Sequence, residues 1–216
     1  MDVQRFGPSG VLVRFAEVLD GASLARCRGL VRWLDDHPPE GLVDCIPACD
    51  ALLLEFSGPV PESQLGHLRR ALGEAPPLPP EEAALHRVPV SYDGPDLAEF
   101  AERKGLSVDD VITLHSGVIY SVYVVGFSPG FPYLGPLDER LHLPRRSSPR
   151  LRVPAGSVGI GGEHTGIYSI ASPGGWWLIG RTETPIFSAD RARGAGEPSA
   201  FLLRPGDRVG FEPAAP

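Results

Sequence analysis

The chain has 216 residues, 42% apolar and 22% charged, with a formal net charge of −7. These values exclude a chain disordered throughout and leave no basic surplus for nucleic acid. No run of about 18 apolar residues predicts a membrane span, and the N-terminus has no apolar signal core.

The stretch "SGVLVRFA" predicts a strand, with Val11, Val13 and Phe15 alternating. Asp20 is placed to cap the next helix, where Leu24, Cys27, Val31 and Leu34 share one face. "LVDCIP" and "ALLLEFS" read as strands around a break at Pro47. Pro61 suits the first turn of a helix that carries Leu65, Leu68 and Leu72. The proline-rich "EAPPLPPEEA" is a connector and "HRVPVSY" a further strand. The order β-α-β-β-α-β predicts a small α/β sandwich of the ferredoxin-like kind. The connector divides the chain into domains 1–81 and 82–216.

The middle predicts a helix in "GPDLAEFAERKG", ending at Gly105, and a second in "SVDDVITLH", opened by Ser107-x-x-Asp110 as a capping box. "VIYSVYVVG" is a strand running into "GFSPGFPYLG". Glycine and proline crowd residues 126–182, yet "LRVP", "SVGI", "GIYSI" and "WWLIG" carry β-formers between them. Short strands joined by tight turns, as in a barrel or sandwich, fit this pattern. "AFLLRP" and "RVGFE" are the last strands, with Pro205-Gly206-Asp207 as the turn between them.

Gly126-Phe127-Ser128-Pro129-Gly130 matches G-x-S-x-G, but Ser128 is not read as a nucleophile. An elbow serine uses the N–H of the next residue as an oxyanion donor, and Pro129 has none. "GIGGEHTG" lacks the G-K-[ST] ending of a phosphate loop. Cys27, Cys45 and Cys49 are an odd, low count that fits a reducing cytoplasm, and C-x3-C without a histidine pair makes no zinc site. Six scattered histidines offer no i, i+4 pair. His115 ends a helix, where the dipole favours a cation. His164, set among glycines, is the candidate for proton transfer.

What remains is a set of aromatics on stiffened bends. Phe127, Phe131 and Tyr133 flank Pro129, Gly130 and Pro132, and Trp176 and Trp177 follow "SPGG". Strand alternation sends one tryptophan into the core and the other to a surface or groove. Such rings make binding platforms at low entropic cost. Arg145, Arg146, Arg150 and Arg152 read either as a charged strand edge or as an anion clamp. Arg181 is a structural arginine or a further clamp member.

The strings "YDGPDL", "GFSPGFPYLG", "PRRSSPRLRVPAGSVGIGG", "TGIYSIASPGGWWLIGRT" and "LLRPGDRV" occur in this order. With them the chain resembles the family of the 5-oxoprolinase B subunit, which also holds allophanate hydrolase subunit 1-like domains and an inhibitor of a sporulation histidine kinase. The resemblance implies an α+β fold: a ferredoxin-like domain over 1–81, then a cyclophilin-like β-barrel over 82–216. It implies a cytoplasmic component of an ATP-dependent enzyme that opens 5-oxoproline to glutamate with a homologous C subunit and a separate A subunit and is inactive alone. ATP belongs to the complex. The alternatives are a histidine-kinase inhibitor and a biotin-dependent carboxyltransferase component. Nucleic acid and membrane are not implied partners. The motif positions mark a site for a small carboxylate substrate or a partner. Beside the bend residues they include Arg150, Pro154, Gly156 and Ser157, then His164, Tyr168 and Ser172, then Gly174, Gly175, Trp176 and Arg181. His164 stands where the family pattern expects glutamine, and Ser169 where it expects proline.

Overall fold

The computed structural model describes residues 1–15, 21–48, 50–79, 82–190 and 200–214. Asp20, Cys49 and residues 80 and 81, where the connector ends, lie outside them. Contacts divide the chain into Met1–Ala83 and Ala84–Pro216.

In the first unit, β1 (Asp2–Phe6) and β2 (Gly10–Arg14) precede α1 (Gly21–Asp36). Then come β3 (Leu42–Pro47), β4 (Ala51–Phe56) and α2 (Glu62–Glu74). The sheet order is β1-β2-β4-β3, with every pairing antiparallel. This corrects the expected element order. The fourth strand comes from the N-terminus, and "HRVPVSY" belongs to the second unit. β1 buries only Val3, so it carries no readable alternation; its register with β2 holds it in the sheet. Val11, Val13, Leu52, Leu54 and Phe56 form the buried face. Leu30 and Leu34 of α1 and Leu65, Leu68 and Leu72 of α2 cover it, at the expected helical spacing. Burial lifts the Cys45 thiol to about 12, which removes it as a nucleophile.

The second unit opens with β5 (Leu85–Val90), α3 (Leu97–Lys104) and α4 (Val108–Ser116). β6 (Ile119–Val125) and β7 (Pro132–Gly135) follow, and β8 (Arg150–Val153) comes after a 3-10 turn at Glu139–Leu141. The rest is β9 (Ser157–Gly161), β10 (His164–Ile167), β11 (Ser172–Gly174), β12 (Trp177–Arg181) and β13 (Arg208–Pro213). Seven strands form one sheet, β12-β9-β10-β7-β6-β13-β5, parallel only between β13 and β5. The sheet curls until Ser91, just past β5, exchanges two backbone hydrogen bonds of 2.9 Å with Arg181 of β12. β8 and β11 form a separate ribbon. Ser107 and Asp110 make the expected capping box, and Gly105 ends α3 at φ 65°. "AFLLRP" is not a strand: it makes one bridge, Phe201 to Phe187, because Phe201 and Leu202 both stay exposed and no alternating face forms. No helix among the described residues is long and apolar enough to cross a membrane.

The core of this unit joins Val88, Tyr120, Leu134, Ile160, Ile179 and Phe211 of the sheet to Phe100 and Val111 of the helices. His115 lies inside it, fully buried and stacked on Phe211 at 4.5 Å. The Thr165 hydroxyl donates to the Gly159 carbonyl at 3.1 Å. Its oxygen therefore accepts from His115 Nε2–H at 2.8 Å. Nδ1 is left to accept from the Tyr92 hydroxyl at 2.7 Å. One neutral tautomer is thereby fixed. Burial lowers its pKa to about 3, so the expected helix-end cation is a neutral core histidine.

Candidate functional site

The glycine-rich strands explain the site. Side chains of β9 and β10 that point away from the core are glycines or small at several places, and aromatic rings lie in their stead. A Cβ on Gly161 would stand 2.6 Å from the Trp176 ring, and one on Gly174 would stand 2.1 Å from the Tyr168 hydroxyl. Phe131, Tyr168, Trp176, Leu178 and Val153 form a second apolar cluster, with Tyr133 packed against it. Phe131 is its hub: its ring meets Tyr133 at 5.1 Å, Tyr168 at 5.2 Å and Trp176 at 5.3 Å, each edge to face. This is the favoured geometry for aromatic quadrupoles.

The layer is largely closed, which corrects the tryptophan expectation. The two rings do take opposite sides, Trp176 in this cluster and Trp177 in the main core. Both are buried, at 6% and 5% exposure: Trp177 lies in the main core, and Val153 of the β8–β11 ribbon joins the cluster that holds Trp176. Phe127 is the exception, 65% exposed. Its φ is +68°, and Ser128 N–H donates to the Gly126 carbonyl across it at 2.8 Å, a γ-turn. Ser128 to Phe131 then closes a β-turn at 3.1 Å with Pro129 second and Gly130 third at φ +78°, as a type II turn requires. Ser169 Oγ donates to the Pro129 carbonyl and anchors the bend. A bulky residue at positive φ costs on the order of 1–3 kcal/mol. The fold spends that to hold an aromatic ring in solvent beside the layer.

Polar groups border the rings. His164 is half-buried beside Tyr123 at 5.8 Å and Tyr133 at 6.3 Å. Its buried Nδ1 has no partner among the described residues, and burial lowers its pKa, so it stays neutral at pH 7. Burial raises the Tyr133 pKa, so this hydroxyl keeps its proton. Ser128 Oγ, Ser172 Oγ and Arg150 Nη1 are likewise buried without partners among the described residues. Unsatisfied atoms of this kind cost about 1–3 kcal/mol each.

The arginine clamp resolves differently. Asp96, which lies in the string "YDGPDL" but is not among the expected site residues, is 2% exposed at the start of α3. Its Oδ1 takes Arg150 at 2.6 Å and Arg146 at 3.1 Å, and its Oδ2 takes Leu178 N–H at 2.8 Å. Arg146 and Arg150 are therefore both anchored from within, on one shared carboxylate. Arg181 lies four residues along β12 from Trp177, held by Asp93 and Glu183, and lines a different depression with Pro89 and Thr182. The chain does not bring it to the clamp. Pro154, Gly156 and Ser157 are structural as well. Gly156, at φ +82°, donates to the Tyr168 carbonyl at 2.7 Å and accepts from Thr182 N–H at 2.8 Å. Ser157 N–H reaches the Pro154 carbonyl and its own carbonyl accepts from Tyr168. Gly175 accepts from Arg146 N–H at 2.8 Å and ties the ribbon to the arginine loop.

A family model described as the carboxyltransferase domain, subdomain C and D, matches residues 1–195. The chain belongs to this family. Among its relatives, the 5-oxoprolinase B subunit of Escherichia coli O157:H7 is 44% identical over 96% of this chain and 93% of its own length. The protein of the same name in Bacillus subtilis (strain 168) is 36% identical over 97% and 91%. The crystal structure of TTHA0988 superposes with a TM-score of 0.81 at 41% identity. That match takes in 96% of this chain but only 40% of the TTHA0988 chain. The Kluyveromyces lactis urea carboxylase shares the fold, with a TM-score of 0.72 at 22% identity over 99% of this chain and 22% of its own.

Proposed function

We propose that this chain is the B subunit of an ATP-dependent 5-oxoprolinase, opening 5-oxoproline to glutamate with the A and C subunits and inactive alone. The observation that carries the reading is its end-to-end similarity to two relatives, both named for this component. The first unit is ferredoxin-like: β2-α1-β3-β4-α2 provides five of the six elements, and β1 takes the place of the last strand beside β2. The second is a cyclophilin-like barrel, closed through Ser91 and Arg181.

Opening a lactam needs an activated carbonyl, which ATP supplies by phosphorylating its oxygen. The glycine-rich stretch of this chain is a β-hairpin filled by the Trp176 ring and does not fit a nucleotide cradle. Nucleotide handling therefore lies wholly or partly on the partners. The exposed Phe127 is the anchor for the C subunit, and Tyr133, His164 and the Arg150–Ser172 ribbon complete a pocket for a small carboxylate at that contact. The length of TTHA0988 supports such a neighbour, because more than half of its chain lies beyond the stretch matched here.

Co-expression with a tagged C-subunit homologue tests the assignment. Stable co-purification through a sizing column is expected. A histidine kinase as the dominant partner, or none, would refute it. The family description and the shared fold with urea carboxylase favour one second reading, a carboxyltransferase component, which a biotin-carrying partner in the same experiment would reveal.

A further inference from the structure

A pocket of about 420 Å³ opens beside the start of β12, built by the arginine loop and α3. Arg103, Arg145 and Arg146 line it, with the hydroxyl-bearing Ser147 and Ser148 and the edge of Trp177. Arg146 and Arg103 both lie over the Trp177 ring, at 4.6 Å and 5.1 Å, so their guanidiniums are held in place by an aromatic face. Trp177 is fixed in turn by its Nε1–H, which donates to the Pro144 carbonyl at 2.8 Å.

The charges do not balance. Glu99 in the lining pairs with Arg103 at 2.8 Å and with Arg146 at 3.2 Å. Beneath it, Asp96 serves Arg146 and Arg150. The lining thus holds three guanidiniums and one carboxylate, and Asp96 is shared between Arg146 and Arg150, in a chain whose formal net charge is −7. Arg145 is the uncommitted one: exposed, and without an ion pair or side-chain hydrogen bond among the described residues. Its hydrogen-bonding fork is free to take an anion.

We propose that this pocket binds a small molecule carrying a phosphate group, with Arg145 as its first charge partner. A carboxylate is satisfied by one planar fork. Three guanidiniums, one from α3 and two from the arginine loop, with two hydroxyls, suit a tetrahedral dianion whose oxygens point in several directions. The volume exceeds what inorganic phosphate needs, so the group is part of a larger molecule. Glu99 occupies the forks of Arg103 and Arg146 and is the built-in competitor of the ligand. The proposal stands on the charges of this pocket and not on the 5-oxoprolinase reading.

Titration of the full chain with inorganic pyrophosphate, followed by Trp fluorescence and calorimetry, tests it, with glutamate as the carboxylate control. Saturable pyrophosphate binding that weakens with added salt is expected. Arg145→Ala should weaken it about tenfold, the worth of a charge-assisted hydrogen bond. Glu99→Gln should tighten it severalfold, a change that a merely structural Glu99 would not produce. Arg145 has no ion pair or side-chain hydrogen bond among the described residues, and circular dichroism checks that its replacement leaves the fold intact. The proposal is overturned if pyrophosphate does not bind, if glutamate binds as well, or if affinity is the same in both variants.

Discussion

Acidification should weaken the second unit through His115. In the unfolded chain this imidazole titrates near 6.5, and in the folded core burial holds it at about 3. Between these values the unfolded state binds the extra proton. Stability is therefore complete above pH 6.5 and falls as pH drops towards 3. Each unit of pKa difference is worth about 1.4 kcal/mol, so moving from pH 7 to pH 5 should cost about 2 kcal/mol. Carboxylates with lowered pKa, such as Asp138 at about 2, add their losses mainly below pH 5. The assay is urea unfolding read by tryptophan fluorescence, to which Trp176 and Trp177 contribute from this unit. His115→Gln is the control, since an amide can still donate to Thr165 and accept from Tyr92 without titrating. The loss between pH 7 and pH 5 should shrink by about 2 kcal/mol in the variant. An equal loss in both proteins would refute the reasoning.

Asp96→Ala strips Arg146, Arg150 and the Leu178 N–H of their common acceptor; a loss of about 3–5 kcal/mol is expected in urea unfolding, and one below about 1 would contradict the buried-pair account. Gly161→Ala drives a methyl group into the Trp176 ring, so a loss of about 1–3 kcal/mol with a red-shifted emission is expected. Unchanged stability and spectrum would show that the ring does not lie on the strand. Phe127→Gly relieves the positive φ while deleting the ring. Stability should stay within about 1 kcal/mol, while affinity for the C subunit falls tenfold or more. Equal affinity would remove Phe127 from the interface.

Local chemistry was legible wherever it was complete within a few residues. The Ser107–Asp110 box, the Gly105 helix stop and the Pro205–Asp207 turn all needed only their own neighbours. β1 was not, since Val3 is its one buried residue and its partner strand does the rest. Arg146 and Arg150 looked like a clamp because their acceptor, Asp96, lies 50 and 54 residues earlier. His115 looked like a helix-end cation because Thr165, 50 residues on, and Phe211 are what make it neutral. Spacing could place Trp176 on the far side of the sheet from Trp177, but not the ribbon beside it. The glycines told the opposite story to the usual one. They mark the floor under aromatic rings rather than a loop around phosphates.

The central claim is that this chain supplies one part of a 5-oxoprolinase and cannot turn over alone. Release of glutamate from 5-oxoproline, measured with and without ATP, tests it most directly. No release is predicted for the purified chain, and ATP-dependent release is predicted once the A and C subunits are added. Turnover by the isolated chain, or a silent three-part mixture, would contradict it.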